Sequence, residues 1–443
     1  MYVKHTILFA ALWLLHATTF AAPVIQHWQT SNGARVYFVP APELPMVDVR
    51  LAFDAGSVRD GDTAGLAALT GSLLSDGAHT DAGELNADDI ADRFAGLGAH
   101  FGAGADRDMT SVSLRSLSRP DVLQPALDTL AALVQRPTFP AAAFERERDR
   151  TRVALRAQEQ SPGAIADKAF YRAVYGSHPY GAEPSGTEAS LNKLSRDDLA
   201  AFHKRYYTGR NAIVAIVGAL SRSEAAAVAE TIVGGLPAGE VVSALPKVPD
   251  LTAAQTIEIK HPSAQTHVLV GQPGMSRIDP DYFPLLVGNH ILGGSGLVSR
   301  LTDEVREKRG LSYSAYSYFL PLRELGPFTL GLQTRNEQTE QALKVLRDTL
   351  QTFTERGPSA QELKAAKQNI TGGFALRIDN NSKLVEYLAL IGFYNLPLDF
   401  LDSYSSHVKK ITLEQIRDAF KRRIKPEQMV TVVVGGGASD SPN

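Results

Sequence analysis

The stretch from Gly65 to Ala78 reads Gly-Leu-Ala-Ala-Leu-Thr-Gly-Ser-Leu-Leu-Ser-Asp-Gly-Ala, and a strand-like run from Met46 to Ala55 precedes it. A helix is predicted at its start. Working outward, residues from about 24 to 235 run strand, strand, helix, strand, helix. That half closes on Arg205-Tyr206-Tyr207-Thr208-Gly209-Arg210-Asn211, then the apolar strand Ala212 to Val217 and Gly218. The second half closes in the same way, with Arg422-Arg423-Ile424-Lys425-Pro426-Glu427-Gln428 before Met429 to Val434 and Gly435. Ser111 to Leu114, followed by a helix from Val122 to Val134, likewise parallels Phe328 to Leu332, followed by Thr339 to Phe353. An internal duplication of period about 210 residues is the economical reading, which means two domains and not a solenoid. Alternating runs at Arg35 to Val39, Val47 to Phe53 and His267 to Gly271, mixed with long amphipathic helices, predict α+β domains with mixed or antiparallel sheets.

This strand and helix resemble the start of the pitrilysin/insulinase family of inverzincin peptidases, where the helix should carry His-x-x-Glu-His. The three chemical positions of that motif are Ala68, Gly71 and Ser72 here. Zinc needs imidazole or carboxylate lone pairs one helical turn apart, and a Glu to take a proton from the metal-bound water. Ala and Gly supply neither. In active members a third ligand, a Glu, stands seven residues after an acidic residue in a Phe-Glu-x-Glu-Arg-Asp pattern. Phe144, Glu145, Glu147, Arg148 and Asp149 keep the pattern, but seven residues on from Glu147 stands Ala154, with Val153 before it and the Ser161-Pro162 turn after the helix. The resemblance therefore implies a pitrilysin-like fold, two homologous α/β-roll domains forming half of a clamshell, with no zinc in this chain.

The second half carries a positive signal. Gly293-Gly294-Ser295-Gly296 opens a helix-like stretch to Glu304, followed by Arg306-Glu307-Lys308-Arg309-Gly310-Leu311-Ser312-Tyr313. This is similar to the family's Arg and Tyr seven residues apart, the pair that lies across from the zinc and binds peptide. A guanidinium gives fixed donors to a carbonyl or carboxylate, and a phenol can donate to a developing oxyanion. A helix-end Arg and a strand Tyr also pack for purely structural reasons. Gly310 is expected to turn the chain into the strand carrying Tyr313. In the family's two-chain members, the resemblance implies, one subunit holds zinc and the other supplies the Arg/Tyr pair or a glycine-rich loop. Two functional readings follow: a non-metal subunit with a zinc-bearing paralogous peptidase partner and a peptide substrate, or a non-catalytic scaffold of the same fold.

His178-Pro179-Tyr180-Gly181 and Gly186-Thr187 stand where the resemblance puts a family marker, and His178 is read as structural. Active relatives carry Asn-Ala-x-Thr on the edge strand that pairs with peptide, whereas Gly98 to Thr110 is Gly-rich here and reads as weakly pairing. No role is assigned to His100, and His261, His267 and His290 lack a carboxylate at ligand spacing.

Composition fits a large globular protein. At 443 residues the chain exceeds the size of one core, and 44% hydrophobic with 21% charged residues is ordinary. A net charge of −3 leaves no basic domain for nucleic acid. Lys4 and His5, the apolar run Ile7 to Leu15 and Thr19-Phe20-Ala21-Ala22-Pro23 have the layout of a secretory signal cleaved near residue 22, with an uncleaved anchor as the competing reading. The run is short for a membrane span, so a periplasmic location without stable membrane insertion is expected. The absence of Cys excludes disulfides, thiol nucleophiles and lipoprotein anchoring. The expected organisation is a signal at 1–22, a first domain at 23–235, a Pro-rich exposed linker at 236–254, a second domain at 255–438 and a tail at 439–443.

Overall fold

The computed structural model describes residues 24–436, so the signal and tail readings lie outside the described residues. Thirteen strands appear in chain order: β1 Gln26–Gln29, β2 Arg35–Pro40, β3 Met46–Phe53, β4 Gly77–Thr80, β5 Gly83–Asn86, β6 His100–Ala105, β7 Thr110–Leu117, β8 Ala212–Gly218, β9 Gln255–Ile259, β10 Gln265–Met275, β11 Ala315–Phe319, β12 Gly326–Arg335 and β13 Val430–Val434. They form a six-stranded sheet, β1-β2-β8-β3-β7-β6, a five-stranded sheet, β11-β12-β10-β13-β9, and a small β4-β5 hairpin.

The two large sheets repeat one plan. In the first, β2 pairs parallel with β8, and β8-β3, β3-β7 and β7-β6 are antiparallel. In the second, β9 pairs parallel with β13, and β13-β10, β10-β12 and β12-β11 are antiparallel. The sequence pairs noted above fall on β7 with β12 and on β8 with β13. Among the described strands of the two large sheets, β1 alone has no counterpart.

Each half lends a helix to the other. The Pro162–Tyr175 helix packs on β10 and β13, and the Asn381–Tyr394 helix packs on β3 and β8, the equivalent strands. Phe170, Val174 and Tyr175 share a core with Leu269, Val430, Val432 and Val434, while Leu388 and Ile391 share one with Ile213, Ala215 and Val217. Burying one such side chain contributes roughly 1.5–3 kcal/mol, so separating the halves would expose several of them at once. The exchange also explains why β8 is buried at every position, although an alternating strand buries one face: its own helices cover one side and the borrowed helix the other.

The segment at 236–254 is exposed at most positions, and it is also tied to the first half. It has no regular element, yet Leu245 and Val248 are buried. Arg59 donates to Ser243 O (2.9 Å) and the His178 ring Nε2 lies 2.9 Å from Pro246 O. Because Tyr180 N donates to Nδ1 of His178, Nε2 carries the proton and donates to Pro246. His178 is a strap anchor, which agrees with its structural reading.

A buried carboxylate joins the halves. Asp108, 2% exposed, accepts from Tyr180 Oη (2.7 Å), Tyr394 Oη (2.9 Å) and Arg323 N (2.7 Å). Those donors come from the first-half marker, the exchanged helix and the turn between β11 and β12. Arg59 in turn holds Asp54 with two bonds of 2.7 and 2.8 Å, and Arg323 lies 3.4 Å from the same carboxylate.

One pH dependence follows from the first core. His203 is stacked on Tyr207 at 4.5 Å, its Nε2 lies 2.9 Å from Val134 O, and burial lowers its pKa from 6.5 to about 4. A histidine depressed by folding contributes stability above its unfolded pKa and loses it as pH falls. The chain should therefore lose at most about 3 kcal/mol between pH 6.5 and pH 4 from this group. Urea unfolding at pH 7 and pH 4.5 checks this, with H203Q expected to flatten that part of the profile.

Candidate functional site

The start of the Leu66–Ser72 helix is held by Asp60, whose carboxylate accepts from Gly65 N and Ala67 N at 2.8 Å each. Its position is set by close backbone approach to the marker loop. A Cβ on Gly186 would stand 2.6 Å from Ala64 O, and φ there is +80°, so Gly186 satisfies both demands. Ser190 Oγ donates to Ala64 O at 2.7 Å and fastens the same junction.

The four positions of interest are chemically silent. Ala68 is half-buried, and Gly71 is buried with its missing Cβ 3.5 to 3.6 Å from the backbone of Gly104 and Ala105 on β6. Ser72 Oγ donates to Leu69 O of its own helix at 3.1 Å. Ala154 is exposed on the Ala141–Gln158 helix, which touches the first helix. Phe144 anchors that helix in the core and Arg148 lies over its ring at 5.1 Å. Methyl, hydrogen and an internally bonded hydroxyl at these positions do not fit zinc. Among the described residues no group of three His, Asp or Glu could hold a metal ion.

Arg306 and Tyr313 are brought together. The Arg306 guanidinium carbon lies 5.6 Å from the Tyr313 ring centre, and Tyr313 is 88% exposed. Arg306 sits in a π-helical turn, Asp303–Glu307, and not in a regular α-helix. Gly310 N donates to Arg306 O at 2.8 Å, and Leu311 N to Val305 O at 2.9 Å, which folds the chain back. Tyr313 stands in the bend before β11 and not in the strand itself, which corrects the expected placement. Leaving the strand early is what frees its ring. The preceding glycine-rich stretch is irregular, a π-turn at His290–Gly294 and a 3-10 turn at Gly296–Val298, and the helix-like stretch expected up to Glu304 begins only at Arg300, as Arg300–Thr302 running into the π-turn Asp303–Glu307. Leu297 and Val298 are exposed beside it. π-turns cluster where a side chain must be aimed.

The sequence reading missed the tyrosines beyond this pair. Tyr316 and Tyr318 alternate along β11, and the period-two pattern Tyr-Ser-Tyr is the signal that marks them. A cavity of about 710 Å³ lies elsewhere, between Leu155, Ile165, Ala169 and the edge strand residues Ile257 and Ile259. None of Ala68, Gly71, Ser72, Ala154, Arg306 or Tyr313 lines it.

Comparison with known proteins agrees with this geometry. The model of the insulinase family, peptidase family M16, matches residues 35–188, and that of the peptidase M16 inactive domain matches residues 193–370. A crystal structure of a peptidase M16 inactive domain from Pseudomonas fluorescens superposes with TM-score 0.90 at 40% identity, covering 94% of this chain and 99% of that one. The uncharacterized zinc protease YmxG of Bacillus subtilis is 26% identical over 82% of this chain and 86% of its own length. The non-peptidase homolog YmxG of Helicobacter pylori is 24% identical over 90% of each chain. With its repeated sheets, its marker loop and these matches, the chain belongs to the insulinase family of peptidases, family M16.

Proposed function

We propose that this chain is the non-metal subunit of an exported, two-chain zinc endopeptidase. It presents Arg306 and Tyr313 to a peptide held against the zinc site of a paralogous partner. The observation that carries this reading is the unequal state of the two half-sites. The metal positions are Ala68, Gly71, Ser72 and Ala154, whereas Arg306 and Tyr313 stay paired and open to solvent. An exposed aromatic ring that packs on a cation and on little else gains little from burial, so stability alone gives no reason for the pair to project. In the complex Arg306 would orient a peptide carbonyl or carboxylate, and the Tyr313 hydroxyl would donate to the oxygen that gains charge. Within this chain the halves are joined by exchanged helices and by Asp108, so the substrate chamber opens and closes between subunits.

Co-expression with a zinc-bearing family member from the same organism tests this. The expected result is a one-to-one complex that cleaves peptides faster than the zinc subunit alone. A zinc subunit fully active by itself, and unaffected by this chain, would overturn the proposal. The scaffold reading has one specific support, the relative named a non-peptidase homolog, and it expects stable association with no change in turnover.

A further inference from the structure

One edge of the second sheet is open where the equivalent edge of the first is covered. β2 and β9 hold equivalent places, each parallel to the last strand of its half. Gly218 ends β8 at φ +159° and Gly435 follows β13 at φ +151°, so aligning them sets Tyr37 and Val39 of β2 against Ile257 and Ile259 of β9. β1 runs antiparallel along the outer side of β2, with His27 opposite Tyr37 and its ring stacked there at 4.4 Å. Tyr37 and Val39 are 5% and 3% exposed. No described strand flanks β9 on that side, and Ile257 and Ile259 are only half-buried.

The free edge presents a fixed set of donors and acceptors. Gln255 N donates to Met429 O at 3.3 Å and Gly435 N donates to Ile259 O at 3.0 Å, so the odd-numbered residues of β9 turn their backbone groups to β13. In a parallel ladder the intervening residues turn theirs the other way. Thr256 and Glu258 therefore point N–H and C=O outward, and both residues are exposed. Against this edge lies the cavity of about 710 Å³. Ile257 and Ile259 line it together with Ile165, Ala169 and Ala173 of the exchanged Pro162–Tyr175 helix and Leu155 of the Ala141–Gln158 helix. All six are half-buried. The Arg156–Glu188 ion pair, at 2.6 Å, lines it as well.

We propose that β9 receives one extended peptide segment, antiparallel to it as β1 is to β2, with a bulky apolar side chain opposite Ile257 entering the cavity. Strand addition at an open edge supplies affinity through the backbone, and a pocket for alternate side chains supplies selectivity. Helix residues line the same cavity as the edge, so the space admits a single strand and opposes the approach of a second copy's sheet. β11, which follows Arg306 and Tyr313, is the other edge of this sheet, so the site is separate from that pair and needs no zinc-bearing partner.

The test uses the full chain without a partner and fluorescent octapeptides that alternate threonine with leucine or phenylalanine. Anisotropy should show saturable binding that weakens at least about tenfold when the apolar residues become serine. N-methylation of the threonine amides, which face Thr256 and Glu258, should abolish binding. N-methylation of the apolar residues' amides, which point away from β9, should change it less than about threefold. T256P removes the outward N–H while leaving every bond to β13, a place where an edge strand tolerates proline, and should abolish binding. A169L leaves the backbone alone and narrows the cavity, so it should weaken the phenylalanine peptides more than the leucine ones. No binding, equal effects of the two methylation patterns, or binding that survives both variants would overturn the site. A dimer of the unliganded chain that T256P dissolves would assign the edge to a second copy and overturn it too.

Discussion

Replacing Tyr313 by Phe is expected to reduce the turnover of the two-chain complex about ten- to a thousandfold, in line with the loss of one oxyanion donor. The hydroxyl is the only group removed. Tyr313 is 88% exposed and its ring meets Arg306 at 5.6 Å, so Phe keeps the ring's contact and costs the fold little. KM and subunit association should change less than kcat, because a donor to developing charge acts in the transition state. Steady-state kinetics on the wild-type and Y313F complexes checks this. A kcat within twofold of wild type would remove the catalytic role of Tyr313.

The largest stability effect is expected at Asp108. D108A should destabilise the chain by about 3–5 kcal/mol, because it leaves two buried phenols and a backbone N–H without their acceptor. Tyr180 Oη at 2.7 Å, Tyr394 Oη at 2.9 Å and Arg323 N at 2.7 Å all lose that partner together. Tyr180 Oη also accepts from Glu324 N at 3.1 Å, so the loss reaches the turn between β11 and β12. Y394F removes one donor while the carboxylate keeps two, and should cost only about 1 kcal/mol. Chemical denaturation of the two variants measures the difference. Since the halves share cores through their exchanged helices, both variants should still unfold in one transition. Two resolved transitions would mean that the halves are independent.

The repeated sheets were legible because β8 and β13 are apolar runs that close each half, and β7 and β12 each precede a long helix. The lack of ligand chemistry at Ala68, Gly71 and Ala154 was legible because it is a matter of residue type: none carries a side-chain lone pair in any conformation. The helix exchange was not, because Phe170 and Ile391 would read as core residues whichever sheet they covered. Asp108 follows a glycine-rich stretch that reads as irregular, yet β6 pairs regularly with β7 over six residues. Phe101 makes that possible by stacking on Phe94 at 5.4 Å, a contact that local propensity does not contain. The proximity of Arg306 and Tyr313 was legible from spacing. The exposure of Tyr313 was not, since it depends on a π-turn and on where β11 begins.

The decisive measurement is zinc content and peptide hydrolysis on the purified chain, first alone and then mixed with a zinc-bearing family member from the same organism. The expected result is far less than one zinc per chain and no cleavage alone, followed by cleavage in the mixture that exceeds that of the zinc subunit. One tightly held zinc with hydrolysis by the isolated chain would contradict the account, since Ala68, Gly71, Ser72 and Ala154 offer that metal no imidazole or carboxylate.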